Sequence, residues 1–125
     1  MNRHVLVVDD EPDIRAIASF ALERLAGWRV STAASGQEAV RLATEDPPDA
    51  VLLDVMMPGM DGPDTVVALV AAEATSGIPI VMLTAKVRGG ELDRLSTLPV
   101  AGVLGKPFDP VALPGQLREL LGWDE

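Results

Sequence analysis

Two patterns of hydrophobic and polar positions alternate along this chain. Short, mostly apolar runs have the length of β-strands, and four of them, 4–8, 51–53, 80–83 and 103–105, are followed at once by polar residues. In between, apolar positions recur at the spacing of an amphipathic helix, most clearly over 14–25. Five such alternations predict βα units that build a parallel sheet.

Caps and breakers give the boundaries of these elements. We predict strands at about 4–8, 28–33, 50–54, 78–83 and 100–104. Helices are predicted from Pro12 to a stop at Gly27, after the capping-box sequence 35–38, at 63–74, at 89–97, and from about 114 to 121 behind a turn at 110–113. The alternating polarity of 28–33 is typical of an edge strand, whereas the continuous apolar runs favour central strands.

These elements predict an α/β fold. Right-handed crossovers and one edge strand near the N-terminus favour a flavodoxin-like, doubly wound (βα)5 three-layer sandwich with a parallel five-stranded sheet in the order 2-1-3-4-5. The length of 125 residues fits one domain, and we expect it to cover residues 1–125 with an ordered core of about 3–122.

The polar residues that follow the strands are the candidate functional residues. In an open parallel sheet such groups gather beyond the carboxyl ends of the strands, so Asp9, Asp10, Asp54, Thr84 and Lys106 are expected to converge. Carboxylates suit Mg²⁺, and an aspartate can also act as a nucleophile towards phosphorus. A hydroxyl and an ammonium group suit phosphoryl oxygens.

Taken singly, each of these residues also fits an ordinary structural role. Asp9 and Asp10 alone are better explained as acids at the start of a helix, and a lone Thr84 as a backbone-capping hydroxyl. The joint pattern is what predicts a site for a divalent cation and a phosphoryl group. The backbone carbonyl of Met56 is a further possible cation ligand, because any residue supplies one.

Composition and charge narrow the function classes. The net charge is −9 and the basic residues are scattered, which argues against nucleic-acid binding. No apolar stretch approaches the ~18–20 residues that span a bilayer, and without cysteine there is no thiolate metal site. We expect a cytoplasmic protein that binds neither membranes nor nucleic acid.

The motifs at the strand ends closely resemble those of receiver domains of bacterial two-component response regulators. The similarity covers essentially the whole chain and rests on four ordered motifs, Val7–Pro12, Leu53–Gly62, Leu83–Lys86 and Gly105–Phe108. It implies a Mg²⁺-dependent transfer of a phosphoryl group from a sensor histidine kinase or histidine phosphotransfer protein. It also implies a switched surface that docks a downstream target protein. We expect a stand-alone receiver that is a monomer or weak dimer.

The resemblance also implies a role for each matching residue. Asp54 would be the phosphoacceptor and become a 4-aspartylphosphate. Asp10 and the Met56 carbonyl would bind Mg²⁺ together with Asp54, and Asp9 would act mainly through a bound water. Thr84 and Lys106 would contact the phosphoryl group, and the Lys106–Pro107 peptide bond would be cis.

Two positions depart from the family pattern. Val103 stands where many receivers carry an aromatic residue that rotates during switching, and valine cannot repeat that movement. Switching would then use the loop 84–90 and the following helix, with Gly89 and Gly90 giving that loop freedom, or else be small. Met56 cannot orient a hydrolytic water by a strong hydrogen bond, so we predict slow autodephosphorylation.

Three alternatives use related residues. A Mg²⁺-dependent phosphohydrolase with an aspartate nucleophile is the strongest, but haloacid-dehalogenase-like enzymes carry a D-x-D motif after the first strand, and 54–56 does not read D-x-D. A flavodoxin-like cofactor protein would need a phosphate-binding loop where 9–11 is acidic. An inactive pseudo-receiver is disfavoured because every residue that the chemistry needs is present.

Overall fold

A computed structural model describes residues 2–85 and 90–124, and over these ranges five strands alternate with five helices. The strands are β1 (His4–Val8), β2 (Arg29–Ala33), β3 (Ala50–Asp54), β4 (Ile80–Thr84) and β5 (Gly102–Gly105). The helices are α1 (Pro12–Ala26), α2 (Gly36–Glu45), α3 (Gly62–Ala71), α4 (Gly90–Ser96) and α5 (Leu113–Leu121). Among these described helices, none combines the length and apolar character needed to cross a bilayer.

The sheet confirms the predicted fold and topology. All described pairings are parallel, and the strands lie in the order β2-β1-β3-β4-β5. Every residue of β1, β3 and β4 is buried, whereas β2 at the edge mixes buried and exposed positions. Val8 pairs with Leu53, and Thr84 pairs with Gly105, so the carboxyl ends of these strands lie level with one another.

Two apolar clusters, one on each face of the sheet, make the structure three-layered. One cluster joins strand residues such as Leu53 to Val66 and Leu69 of α3. The other joins Leu52 and its neighbours to helix residues that include Leu22 and Leu117. Each fully buried leucine contributes roughly 1.5–3 kcal/mol to folding, so these clusters supply much of the free energy that holds the helices on the sheet.

The predicted capping box is present at the start of α2, with one difference. The Ser35 hydroxyl accepts the Glu38 N–H at 3.1 Å, as expected. The Glu38 carboxylate, however, accepts the N–H of Ala34 rather than that of Ser35 itself. Both side chains therefore satisfy backbone donors at the helix entry.

Several predicted boundaries are wrong by a few residues. The third helix was expected over 63–74 but ends at Ala71, because the buried Thr75 hydroxyl donates to the Leu69 carbonyl at 2.6 Å and closes the helix end. The fourth strand begins at Ile80 rather than 78, since Pro79 has no N–H for a ladder bond.

The predicted fifth strand and last helix are shifted by one or two residues. The fifth strand, expected over 100–104, covers Gly102–Gly105. The last helix follows a turn at 110–112 and begins at Leu113, one residue before the predicted start. The predicted first residue of the fourth helix, Gly89, lies outside the described residues.

His4 is a buried histidine at the opposite end of the sheet from the candidate site. Its Nε2 is 2.8 Å from the Ser31 hydroxyl, and Nδ1 is 3.1 Å from the Arg29 guanidinium, which only donates. Burial and then the Arg29 charge lower the pKa of His4, while the carboxylates of Asp46 and Asp49 oppose that shift. The neutral ring is therefore the form that the folded state prefers.

This lowered pKa predicts a dependence of stability on pH. When pH falls below the ordinary histidine value of 6.5, the unfolded chain takes up a proton that folded His4 resists, so the free energy of unfolding decreases. His4→Gln should remove this component. Urea unfolding of both proteins at about pH 5 and about pH 8 measures this contribution of His4. Subtracting the free energy of unfolding of the variant from that of the wild type at each pH cancels the effect of the other titrating groups. An equal pH dependence in both proteins would contradict the assignment.

Candidate functional site

The candidate site lies at the carboxyl edge of the sheet, where β1, β3 and β4 end on polar residues. Asp9 directly follows β1, and Asp54 and Thr84 are the last residues of β3 and β4. All three are nearly inaccessible, with exposed fractions of 0%, 3% and 2%. Asp10, next along the chain, is accessible to solvent. The structure thus brings together the strand-end residues that the sequence singled out.

Three of these residues form an acidic cluster. One carboxylate oxygen from each of Asp9, Asp10 and Asp54 lies within 4.8 Å of the other two. Hard carboxylate oxygens at this spacing suit a small divalent cation, and their mutual repulsion favours one. The donor set therefore fits Mg²⁺.

Lys106 supplies a positive charge to two of the three acids. Its Nζ is 3.1 Å from Asp9 Oδ2 and 3.2 Å from Asp54 Oδ1. Its backbone N–H donates to the Thr84 carbonyl at 2.8 Å, which anchors the residue beside β4. Burial opposes its charge, but the two carboxylates outweigh it and raise the pKa of Lys106 above the ordinary value. The Lys106–Pro107 peptide bond is cis, as predicted.

Asp54 occupies an environment that disfavours its negative charge. Burial, followed by the charge of Asp9, raises its pKa to about 6, although Lys106 and a hydrogen bond from the Met56 N–H act in the opposite direction. The Asp54 carboxylate therefore accepts hydrogen bonds from Lys106 and the Met56 N–H, but these donors do not offset the cost of burying its negative charge beside Asp9. Additional positive charge close by would stabilise its ionised form.

Met56 contributes to the site through its backbone. Its side chain is 69% exposed, while its N–H reaches the Asp54 carboxylate. The loop that carries it is fixed by two hydrogen bonds, from the Val55 N–H to the Leu83 carbonyl at 3.0 Å and from the Gly62 N–H to the Val55 carbonyl at 2.9 Å. A thioether that points to solvent cannot hold water near Asp54 by a strong hydrogen bond.

The positions tied to switching are described only in part. Val103 is half-buried and packs against the apolar cluster beneath α3, so it acts as a core residue here. Leu95 is buried in that cluster, and Leu98 packs against it. The motif residue Lys86 and the predicted loop residue Gly89 lie outside the described residues.

The sequence did not single out Arg15, which also reaches this site. Its guanidinium donates to the backbone carbonyl of Asp9 at 2.8 Å. In a sequence, such an arginine cannot be distinguished from one on the solvated face of an amphipathic helix. The hydrogen bond to Asp9 depends on how α1 passes the end of β1. The place of Arg15 in the first helical turn, shortly after four acidic residues in 9–13, is the signal that was available.

Comparison with known proteins places this geometry in a family. The sequence model described as "Response regulator receiver domain" matches residues 5–118. The chain belongs to the response-regulator receiver family. The probable transcriptional regulatory protein TcrX of Mycobacterium tuberculosis is 40% identical over 119 residues, which are 94% of this chain and 49% of TcrX. The chain thus spans about half the length of the curated relatives it matches.

Solved structures agree with this assignment. Chemotaxis protein CheY4 of Vibrio cholerae is 34% identical with a TM-score of 0.88, over 96% of this receiver and 99% of CheY4. The receiver domain of sensor histidine kinase PA1611 from Pseudomonas aeruginosa is 30% identical with a TM-score of 0.86, over 98% and 99% of the two chains. That structure holds a magnesium ion in its active-site cleft.

Family membership establishes the general role of the chain. It is a receiver domain of the two-component type, with a phosphoacceptor signalling role. Receiver domains interact with histidine kinases and with downstream effectors. The family and the fold neighbours favour this role over the phosphohydrolase and the cofactor-binding protein that the sequence also allowed.

Proposed function

We propose that residues 1–125 form one receiver domain that accepts a phosphoryl group on Asp54 in a Mg²⁺-dependent reaction. The observation that carries this proposal is the environment of Asp54. Its buried carboxylate ends a central strand, touches Lys106 at 3.2 Å, and lies in a cluster with Asp9 and Asp10. The chain provides a nucleophile, a cation-binding acid pair and a fixed positive charge in one place.

The residues that would hold Mg²⁺ follow from the cluster. Asp10, Asp54 and the Met56 carbonyl are proposed as direct ligands, and Asp9 as a ligand through water. The bound ion supplies positive charge against the acids and against the phosphoryl oxygens. Asp9 suits the indirect role, because its two oxygens already accept the Glu11 N–H and the Lys106 ammonium.

The chain's own residues then account for the transfer. A carboxylate oxygen of Asp54 forms the new O–P bond while the P–N bond of a phosphohistidine breaks, and the departing imidazole keeps the bonding electron pair and takes a proton from solvent. Lys106 neutralises charge on the phosphoryl oxygens, and fixed positions supply much of the rate. The product carries about −2 charge and strong acceptor oxygens, to which the Thr84 hydroxyl can donate.

The same proposal defines the partners. The donor is a sensor histidine kinase or histidine phosphotransfer protein, and the output is a docking surface for a downstream target protein. The domain modifies only its own side chain, so we class it as a regulatory phosphoacceptor rather than an enzyme with external turnover. A net charge of −9 argues against nucleic acid as its partner. We place it in the cytoplasm, as a monomer or weak dimer, by analogy with the family.

Intact mass after incubation with Mg²⁺ and acetyl phosphate tests this function. The wild type should gain one phosphoryl group, and Asp54→Asn and chelation of the metal should each abolish the gain. Asp64→Asn is a matched control, because Asp64 is an exposed acid in the first turn of α3. Labelling that persists in Asp54→Asn, or no labelling by acetyl phosphate and by histidine kinases alike, would refute the proposal.

Met56 is predicted to prolong the phosphorylated state. Its exposed thioether offers only weak acceptance to a water that attacks the acyl phosphate, whereas an amide would bind and orient that water. Met56→Asn should therefore shorten the half-life of the phosphorylated protein by about tenfold, because the amide would position the attacking water. Decay of purified phosphoprotein measures it, with the buried Met57→Leu as a control. Decay in Met56→Asn that is no faster than in the wild type contradicts this role.

A further inference from the structure

The turn between β1 and α1 carries Asp9 and Asp10, and it is held differently from the entries to α2 and α3. Those two helices begin at Ser35 and Asp61, whose side chains accept backbone N–H groups. The N-cap residue of α1, Glu11, makes no such bond. Instead, Oδ1 of Asp9 accepts the Glu11 N–H at 2.9 Å, so a residue of the acidic cluster also caps the turn.

Arg15 closes this turn from the helix side. Its guanidinium donates to the Asp9 carbonyl at 2.8 Å, and its backbone N–H donates to the Glu11 carbonyl at 3.2 Å. The side chain is half-buried and carries a planar guanidinium with several N–H donors. A charged donor makes a stronger hydrogen bond than a neutral one. The Arg15 side chain therefore links the end of β1 firmly to the first turn of α1.

The orientation of the Asp10 carboxylate depends on this hydrogen bond between Arg15 and the Asp9 carbonyl. Among the described residues its carboxylate has no hydrogen-bond or ion-pair partner, so the backbone of the turn sets where it points. We propose that Arg15 is a positioning residue for the cation site. By holding the Asp9 carbonyl, it fixes the turn so that Asp9 and Asp10 face Asp54. This inference rests on the Mg²⁺-dependent function proposed above.

The positive charge of Arg15 and its positioning role are expected to change the affinity for Mg²⁺ in opposite directions. The Arg15 guanidinium adds positive charge at the Asp9 carbonyl, next to the acidic cluster, and opposes a divalent cation there, so removing its charge alone would tighten Mg²⁺ binding. Loss of positioning would instead weaken binding, as substitutions of groups that orient metal ligands do. The sign of the change in Kd therefore distinguishes the two effects.

Arg15→Met is the main variant, because methionine keeps the apolar stem but removes the donor and the charge. We expect the Kd for Mg²⁺ to rise about tenfold, read from the dependence of melting temperature on Mg²⁺ concentration. Arg15→Lys should give an intermediate Kd. Arg24→Met removes the same charge from the last turn of α1, where Arg24 stacks on Phe20, and should leave Kd unchanged. The metal-free melting temperature of each variant reports folding separately.

The outcomes separate this inference from the proposed function. A Kd in Arg15→Met that is unchanged or lower than in the wild type overturns the positioning role and leaves the proposed function intact. A wild type that does not bind Mg²⁺ overturns both. If Arg15→Met does not fold, Arg15→Lys decides alone, and its Kd must exceed the wild-type value by at least about twofold.

Discussion

Lys106→Met should destabilise the metal-free protein by about 3 kcal/mol and slow phosphorylation by about a hundredfold. The Lys106 ammonium lies against Asp9 and Asp54, whose side chains are 0% and 4% exposed. Removing one partner of such a buried arrangement leaves the others without compensation, which costs far more than losing a surface pair. Methionine fills a similar volume, so the loss of charge dominates the effect.

Mg²⁺ provides the decisive comparison for this variant. If the missing charge is the cause, Mg²⁺ should raise the melting temperature of Lys106→Met by more than that of the wild type. Arg41→Met is the control, since Arg41 makes only exposed ion pairs with Glu38 and Glu45, and its loss should cost less than about 1 kcal/mol. Urea unfolding and acetyl phosphate labelling measure the two effects. Wild-type stability and labelling in Lys106→Met would show that Lys106 is not the counter-charge of the site.

The fold was predictable because its central strands are buried on both faces. Such strands read as continuous apolar runs, and each run gives way to a polar residue at the carboxyl edge of the sheet. The residues at those ends are therefore visible in the sequence as polar residues directly after apolar ones. This is why the sequence alone places Asp54 and Thr84 at one edge of the sheet.

The contacts within the site could not be predicted in the same way. Lys106 meets Asp9 across 97 positions of sequence and Asp54 across 52. Those meetings depend on register, in which Val8 pairs with Leu53 and Thr84 with Gly105. Because these central strands are buried on both faces, their apolar runs do not specify the register, which depends on how the helices pack.

Element ends and Arg15 were missed for a related reason. The third helix ends at Ala71 because one buried hydroxyl, that of Thr75, takes the Leu69 carbonyl. A threonine in a polar segment gives no hint of that bond. Arg15 likewise bonds a carbonyl that only the path of α1 brings within reach. Single side chains that satisfy backbone groups leave little trace in periodicity or composition.

Gly62→Ala is expected to be the most damaging small substitution near the site. A Cβ at Gly62 would lie 2.7 Å from the Asp54 carbonyl oxygen, 2.7 Å from the Val55 Cα and 2.9 Å from the Met82 Cε. Two of these neighbours are backbone atoms of the segment that carries the phosphoacceptor, so they can yield only if β3 or α3 moves. We expect a loss of about 2–3 kcal/mol in the free energy of unfolding.

The same displacement should reach the chemistry, because Gly62 packs directly on the backbone of Asp54 and its N–H holds the Val55 carbonyl. Labelling by acetyl phosphate should fall at least about tenfold even below the melting temperature, since small misplacements at a reacting group are costly. Gly115→Ala is the matched control, a glycine in the first turn of α5 whose added Cβ would meet no atom within 4 Å beyond the adjacent residues and backbone of its own helix. It should be neutral or stabilising by up to about 1 kcal/mol. Equal stability and labelling in Gly62→Ala would mean that the loop after β3 can relax without moving Asp54.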